Sequence, residues 1–366
     1  MASYLCQYRF DRVLGNLYRC RLIAGDGQAA DPASVIVKLP SSDAMAFRFS
    51  RWLSLHRREY VFYRDVAPLG YVRVPTLFYG DFDAESNRFV LVLEDLGHLR
   101  GIPQSVGVDA TRARCAMRQL AGLQGRFWEA DDPALSACGD FLSTRQRRIM
   151  QTVYLLTLPA AFDRFGDLFT DRTRRLALEF GFRIAAHFAA LSAGPKTVVH
   201  GDFRADNMLF GDGEQDAAAL IDWQGCGIGC GMYDVAFFLA TSVTSDLRRR
   251  IERDALDEYH DIVSGSGVEN YTREDCWHSY RQNILGTLMP MVIGCGAMDM
   301  SDPQLVGQSR ELLSRVLTAI EELDSWEFMP RREPFLAHGW GFATLSRCAY
   351  PPYRLALRLG RLRKRR

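Results

Sequence analysis

Three oxygen-bearing side chains stand at a chemically suggestive spacing within residues 197–234, TVVHGDFRADNMLFGDGEQDAAALIDWQGCGIGCGMYD. They are Asp202, Asn207 five positions on, and Asp222 twenty positions after Asp202. Phosphoryl transfer to a hydroxyl asks little covalent chemistry of a protein. It needs a carboxylate to orient the attacking hydroxyl and take its proton, and hard oxygen ligands for magnesium on the phosphates. Asp202 suits the first role. Asn207 and Asp222 suit the second, because a carboxylate and a neutral amide oxygen hold the ion without overloading the site with negative charge. The plain alternative is a surface hairpin whose Asp and Asn only form turns.

The elements that must position these groups are legible in the same stretch. Apolar runs (Val198-Val199, Met208 to Phe210, Ala217 to Ile221) alternate with turn residues, which predicts strand, loop, strand, turn, strand and a glycine-rich exit. A tight turn at Gly211-Asp212-Gly213 sets Asn207 roughly opposite Leu220, with Asp222 a diagonal step away on the same face and Asp202 alongside. Upstream, residues 8–39 read as a strand meander with turns at Gly15-Asn16 and Gly25-Asp26-Gly27. Lys38 ends the run Val35-Ile36-Val37-Lys38. In the helix that follows, RWLSLHRREYVFYRDVAP, the positions Leu55, Glu59, Phe62 and Val66 keep the spacing of one buried stripe. A lone buried carboxylate is costly, so Glu59 needs a partner, and Lys38 is the candidate. The other reading is a tilted helix with Glu59 in solvent.

The run Arg88 to Leu93 is a buried strand that stops at Glu94-Asp95-Leu96-Gly97. Asp109 can cap a helix with Ala113, Met117, Leu120, Leu123 and Phe127 inward, and one long helix is expected from about Asp171 to Leu191. Only eleven residues separate Asp222 from Asp234, which is read as the cap of a helix beginning at Val235. So short a link leaves no room to dock a polypeptide or to be switched by phosphorylation, which points to a small-molecule acceptor.

His200-Gly201-Asp202-x4-Asn207 with Ile221-Asp222-Trp223-Gln224 resembles the aminoglycoside phosphotransferase and choline kinase superfamily, most closely its ecdysteroid-kinase-like branch. The resemblance runs from about Val35 to about residue 290 and implies an α+β, protein-kinase-like two-lobed fold, with a small β-rich N-lobe and a larger, mainly helical C-lobe. Residues 1–93 would form the N-lobe, 94–98 the hinge and 99–353 the C-lobe, leaving 354–366 as a basic tail. By the same resemblance Asp202 is the catalytic base, Asn207 and Asp222 hold Mg2+, and ATP is the donor. Lys38, held by Glu59, contacts the α and β phosphates, and the backbone near Glu94 and Leu96 meets the adenine edge. Gly15 and Asn16 would cover the phosphates, although Gly15 is the only glycine between Phe10 and Gly25. Asp234 would brace the catalytic loop.

The acceptor stays open at this level. Asp246, Glu252, Asp257, Glu258, Glu274 and Asp275 suit a polycation such as an aminoglycoside, whereas Trp277, Tyr280, Leu288, Met289 and Met291 suit a lipid-like alcohol. The sequence around Tyr259-His260-Asp261 and His278-Ser279-Tyr280-Arg281 looks more like the ecdysteroid-kinase-like branch, which leans the reading to a neutral alcohol. A non-catalytic nucleotide binder on the same fold is the competing class. Against it, Lys38, Glu59, Asp202, Asn207 and Asp222 are all present. A P-loop kinase is excluded, since no G-x4-G-K-[ST] string occurs.

A chain of 366 residues, 48% hydrophobic and 24% charged, predicts a folded protein of two lobes. The net charge of +1 argues against general nucleic-acid binding. The last thirteen residues carry seven Lys or Arg, which predicts weak, salt-labile attraction to anionic surfaces without stable membrane insertion. Nine scattered cysteines read as reduced cytoplasmic thiols, and Cys226 and Cys230 have no second ligand pair for a metal. Neither a signal peptide nor a membrane span is expected. Nothing in the sequence bears on oligomeric state.

Overall fold

The computed structural model describes residues 3–11, 15–23, 29–211, 213 and 218–331. The expected turns at Gly25-Asp26-Gly27 and at Asp212, and the basic tail, lie outside them. The chain divides into two compact units, Met1–Phe141 with Gly194–Ser279, and Leu142–Ala193 with Tyr280–Arg366.

The first unit opens with a five-stranded antiparallel sheet built from β1 (Ser3–Asp11), β2 (Gly15–Ile23), β3 (Ala29–Pro40), β4 (Leu77–Asp83) and β5 (Arg88–Glu94), in the order β1-β2-β3-β5-β4. Gly15 and Asn16 are the first residues of β2, opposite Pro40 and Leu39, and not a turn as expected. On β5, Phe89, Leu91 and Leu93 are buried in strict alternation, so one face of this central strand packs inward. Lys38 pairs across from Leu91.

Between β3 and β4 run α1 (Ala44–Leu53), capped by the Asp43 carboxylate on the Met45 and Ala46 amides, and α2 (Leu55–Val61). The single helix expected here is broken at Ser54, which sits in the left-handed region at φ 58°. α2 then widens into a π-helical turn at Phe62–Val66. The stripe survives the break, with Leu55, Glu59, Phe62 and Val66 all buried. Burying Phe62 fully contributes on the order of 2–3 kcal/mol.

After β5 come the short β6 (Arg100–Gly101), α3 (Ala110–Arg126) and α4 (Pro133–Ser136). Asp109 caps α3 by accepting the Arg112 amide, and the five apolar positions read from the sequence are all buried.

The second unit begins with α5 (Thr144–Phe165), started by a capping box between Ser143 and Gln146. The long helix expected over 171–191 is two, α6 (Asp171–Gly181) and α7 (Ile184–Leu191). The break falls at Phe182 and Arg183, just after Gly181, which packs so close to the Tyr154 and Leu155 side chains that a Cβ there would clash with both.

The first unit resumes with β7 (Thr197–Val199), β8 (Met208–Phe210), β9 (Ala219–Leu220) and β10 (Gly227–Gly229). β8 pairs with β6 and β9, and β7 with β10. α8 (Met232–Thr241), buried along its whole length, and α9 (Ser245–Gly265), packed against α3, complete the unit. α10 (Arg273–Gly286) carries the chain across the division to α11 (Leu288–Ala297), which packs on α5, and to α12 (Pro303–Glu322). A β-rich N-terminal part followed by mainly helical structure is the α+β class expected.

Candidate active site

Lys38 reaches from β3 to two carboxylates at once. Its Nζ lies 2.7 Å from Glu59 Oε1 on α2 and 2.7 Å from Asp222 Oδ1 beyond β9. Lys38 and Glu59 are both almost sealed from solvent, so each charge is held only because the other offsets it. Burial disfavours the ammonium, yet Asp222 and Glu59 outweigh it and raise the Lys38 pKa above its ordinary 10.5. An ammonium has three N–H donors.

Asp222 reaches this position by a backbone turn. It adopts φ 66° and ψ 61°, a left-handed conformation that Asp tolerates better than most residues. Strand alternation therefore stops at Leu220. The register also differs from the expected one, because Met208, and not Asn207, stands opposite Leu220. Asn207 instead accepts the Ile221 amide on its backbone carbonyl.

Asp202 and Asn207 are joined directly. The Asn207 Nδ2 donates to the Asp202 carboxylate at 2.8 Å and to its backbone carbonyl at 2.9 Å. The opposite end of that amide, Oδ1, is buried and meets no hydrogen-bond donor among the described residues. An orphaned buried acceptor is expensive unless something fills it.

The loop that carries Asp202 is held from beneath. Asp234 accepts the His200 amide at 2.7 Å and the Gly201 amide at 2.9 Å, and Gln124 Nε2 approaches it at 3.4 Å. Asp234 lies inside the first turn of α8 and not at its cap, so the capping expected of it is replaced by this bracing. Burial pushes its carboxyl up to about 7, against the pull of the two loop amides. Gly201 is required where it is, at φ 80°, because a Cβ would run into the Gly225 carbonyl. The His200 Nδ1 accepts the Asp202 amide while Nε2 faces the Ile221 carbonyl, which assigns a neutral Nε2–H ring. Burial lowers its pKa, in keeping with that tautomer.

Several participants carried no sequence signal of their own. Arg204 lies inside the four unspecified positions after Asp202, and its Nε sits 3.0 Å from Asp202 Oδ1. The buried Arg58 guanidinium ties α2 to the carbonyls of Asp140, Phe141 and Cys226, and so to the segment after Asp222. Gln124 and Tyr259 form a buried chain ending on Asp234, with Tyr259 Oη 2.6 Å from Gln124 Oε1.

The remaining predicted residues are placed as follows. A Cβ on Gly15 would stand 3.6 Å from Lys38 Cε, so Gly15 backs directly on the lysine. The Asn16 amide donates to Pro40 O at 3.2 Å and is engaged in the sheet. At the end of β5 the Glu94 N–H donates to Thr76 O and the Leu96 carbonyl accepts from Leu99, while the Leu96 N–H meets no acceptor among the described residues.

Most of the acidic and apolar residues read as suited to an acceptor are engaged within the fold, although Glu274 is exposed and Trp277 and Met291 are half-buried. Asp246, Asp257 and Glu258 pair with Arg249, Arg273 and Arg118, Glu252 pairs with the buried Arg248, and Asp275 caps α10 through Thr272. Tyr280, Leu288 and Met289 are core. Among the described residues no helix is long and apolar enough to cross a membrane.

Residues 25–275 match the family model described as "Phosphotransferase enzyme family", APH. Comparison with curated proteins gives no match. Among solved structures, the chain is similar to a protein of Ralstonia eutropha JMP134 provisionally assigned as an aminoglycoside phosphotransferase. The identity is 16% and the TM-score 0.52, with 90% of this chain and 92% of the other covered. It is also similar to the ethanolamine kinase of Plasmodium vivax, at 11% identity and TM-score 0.51, covering 87% of this chain and 81% of the other.

Proposed function

The chain belongs to the APH phosphotransferase family, and on that premise we propose that it transfers the γ-phosphoryl group of ATP to a hydroxyl of a small neutral or lipid-like alcohol. The observation that carries the proposal is Lys38 bridging Glu59 and Asp222, with the Asp202–Asn207 pair completing the constellation. Two of the three ammonium donors are taken by carboxylates, and the third is available to an α or β phosphate oxygen. Glu59 fixes the direction of that donor. Gly15, lacking a side chain beside Lys38, leaves room for the phosphates, and the Leu96 N–H is the hinge group suited to adenine.

The donor set fits magnesium. Asn207 Oδ1 is an unmet acceptor, and Asp222 supplies a carboxylate. Lys38 and Arg204 face four carboxylates, Glu59, Asp222, Asp202 and Asp206, so the cluster is short of two positive charges. Among the described residues no group of three or more His, Cys, Asp or Glu is arranged to hold a metal ion by itself, and kinase magnesium is held by one or two side chains together with phosphates and water. When bound, the ion would neutralise charge on the phosphates. Asp202 accepts the acceptor's proton as its oxygen attacks the γ-phosphorus and ADP departs.

A neutral acceptor is supported by the arginines paired with Asp246, Glu252, Asp257 and Glu258, which offset four of the six acids that would suit a polycation. Placement in the ecdysteroid-kinase-like branch is a narrower proposal. Of the residues that carry it, Tyr259, His260 and Arg281 bind Gln124, the Tyr271 carbonyl and the Leu323 carbonyl. The free thiols Cys138, Cys226, Cys276 and Cys295 suit a reducing compartment such as the cytoplasm. The test is acceptor-dependent ADP release by purified protein across a panel of alcohols, sterols and aminoglycosides. Preference for an aminoglycoside would overturn the neutral acceptor, and magnesium-independent ATP binding without turnover would favour a non-catalytic binder.

A further inference from the structure

We propose that Arg204 is a further catalytic residue, supplied by the loop itself, whose guanidinium holds the γ-phosphoryl group as it passes to the acceptor oxygen. The inference rests on the kinase reading above.

Arg204 is gripped on three sides. Its Nε lies 3.0 and 3.1 Å from the two Asp202 oxygens, and its Nη1 lies 2.9 Å from Asp206 Oδ2 and 3.0 Å from Gln104 Oε1. Gln104 is itself fixed, because its backbone amide donates to Asp206 Oδ1 at 2.8 Å and its side chain to the buried Thr241 hydroxyl at 2.7 Å. The guanidinium is therefore oriented before any ligand arrives, which is the condition for electrostatic catalysis. One edge is left over. The Nη2 donates to none of the described residues, and the side chain keeps 28% of its surface exposed.

Proximity to Asp202 locates that edge. The attacking hydroxyl must come within hydrogen-bond reach of the Asp202 carboxylate, roughly 2.6–3.2 Å. The phosphorus it attacks lies just beyond, so a cation bonded to the same carboxylate stands within a few ångströms of the phosphoryl oxygens. In the step itself the acceptor O–P bond forms and the bond from γ-phosphorus to the bridging oxygen of ADP breaks. The hydroxyl proton goes to Asp202, and negative charge spreads over the three equatorial oxygens. A planar guanidinium with an open N–H edge matches that charge better than a point ammonium. Asp202 and Asp206 hold Arg204 cationic, raising its pKa further.

A purely structural clip between Asp202 and Asp206 would show the same bonds, so the test separates the two. Slow ADP release with water as acceptor, calorimetric binding of magnesium-ATP and thermal unfolding are compared for the wild type, Arg204→Ala, Arg204→Lys and Asp202→Ala. Arg204→Ala should lose at least about a hundredfold in kcat while ATP affinity changes by less than about threefold. Arg204→Lys should recover only part of the loss. Millimolar guanidinium should restore turnover to Arg204→Ala and leave Asp202→Ala inactive. A kcat within about fivefold of wild type would overturn the inference. So would a folded, ATP-binding Arg204→Ala that guanidinium does not rescue, and either result leaves the kinase reading standing. Wild-type protein with neither magnesium-dependent ATP binding nor ADP release would sink both.

Discussion

The Phe62 and Trp223 rings lie face to face, 3.7 Å between centroids and 6° from parallel, both sealed from solvent. Phe62 is three residues after Glu59 and Trp223 one after Asp222, so the stack fastens together the two segments whose carboxylates Lys38 bridges. Trp223→Ala should destabilise the protein by about 3–5 kcal/mol, and Trp223→Phe by less, since a ring would remain on Phe62. Denaturant unfolding gives the comparison. A loss below about 1 kcal/mol for the alanine variant would show that other contacts hold the segments.

Lys38→Met should be costly for a different reason. It leaves the Glu59 and Asp222 carboxylates facing each other without the cation between them, and breaking a buried pair this way costs about 3–5 kcal/mol. The double variant Lys38→Met with Glu59→Gln should regain part of that stability. If it is no more stable than Lys38→Met alone, the pair is not a coupled unit.

Asp202→Ala should abolish turnover while leaving ATP affinity nearly intact, because the base acts on the acceptor and not on the donor. Loss of a general base costs on the order of 10²-fold or more. A variant that keeps more than about a tenth of wild-type turnover removes Asp202 from that role.

Nucleotide affinity should depend on magnesium, and Asp222→Ala should weaken that dependence more than Asn207→Ala. A carboxylate brings formal charge to the ion, whereas an amide brings a dipole. Titration calorimetry with magnesium and with chelator decides the matter. Equal ATP affinity in both conditions would contradict the metal assignment.

Asp234 makes stability and turnover respond to pH in opposite senses. Its folded pKa is raised from an ordinary 3.8 to about 7, so the buried carboxyl favours the protonated form. The stability it contributes, measured against Asp234→Asn, is complete below the unfolded pKa and is lost as pH climbs toward the folded one. The difference should fall by on the order of 4 kcal/mol between about pH 4 and pH 7 and then level off. Turnover should rise over the upper part of that range, since the carboxylate accepts the His200 and Gly201 amides more strongly than the acid does. A stability difference that grows with pH would mean that these amides outweigh burial.

What the sequence determined by itself was everything written in short-range spacing. The 202–207–222 constellation, the capped helix after Asp109 and the need of Glu59 for a cation all follow from residue type, periodicity and the cost of burying charge. What only the tertiary structure decided were single backbone dihedrals and contacts between distant residues. Ser54 and Asp222 enter the left-handed region, the first breaking a helix and the second turning a carboxylate off its strand. Neither residue type announces that choice. β8 and β9 pair Met208 with Leu220, one residue off the expected register, because a two-residue strand offers too few side chains to specify pairing. Two of the acids read as suited to a ligand, Asp257 and Glu258, are matched by arginines on other elements, with Arg118 and Glu258 140 residues apart. Lys38 found Asp222 across 184 residues, a pairing that periodicity cannot encode because it arises only when the sheet, α2 and the β9 turn pack together.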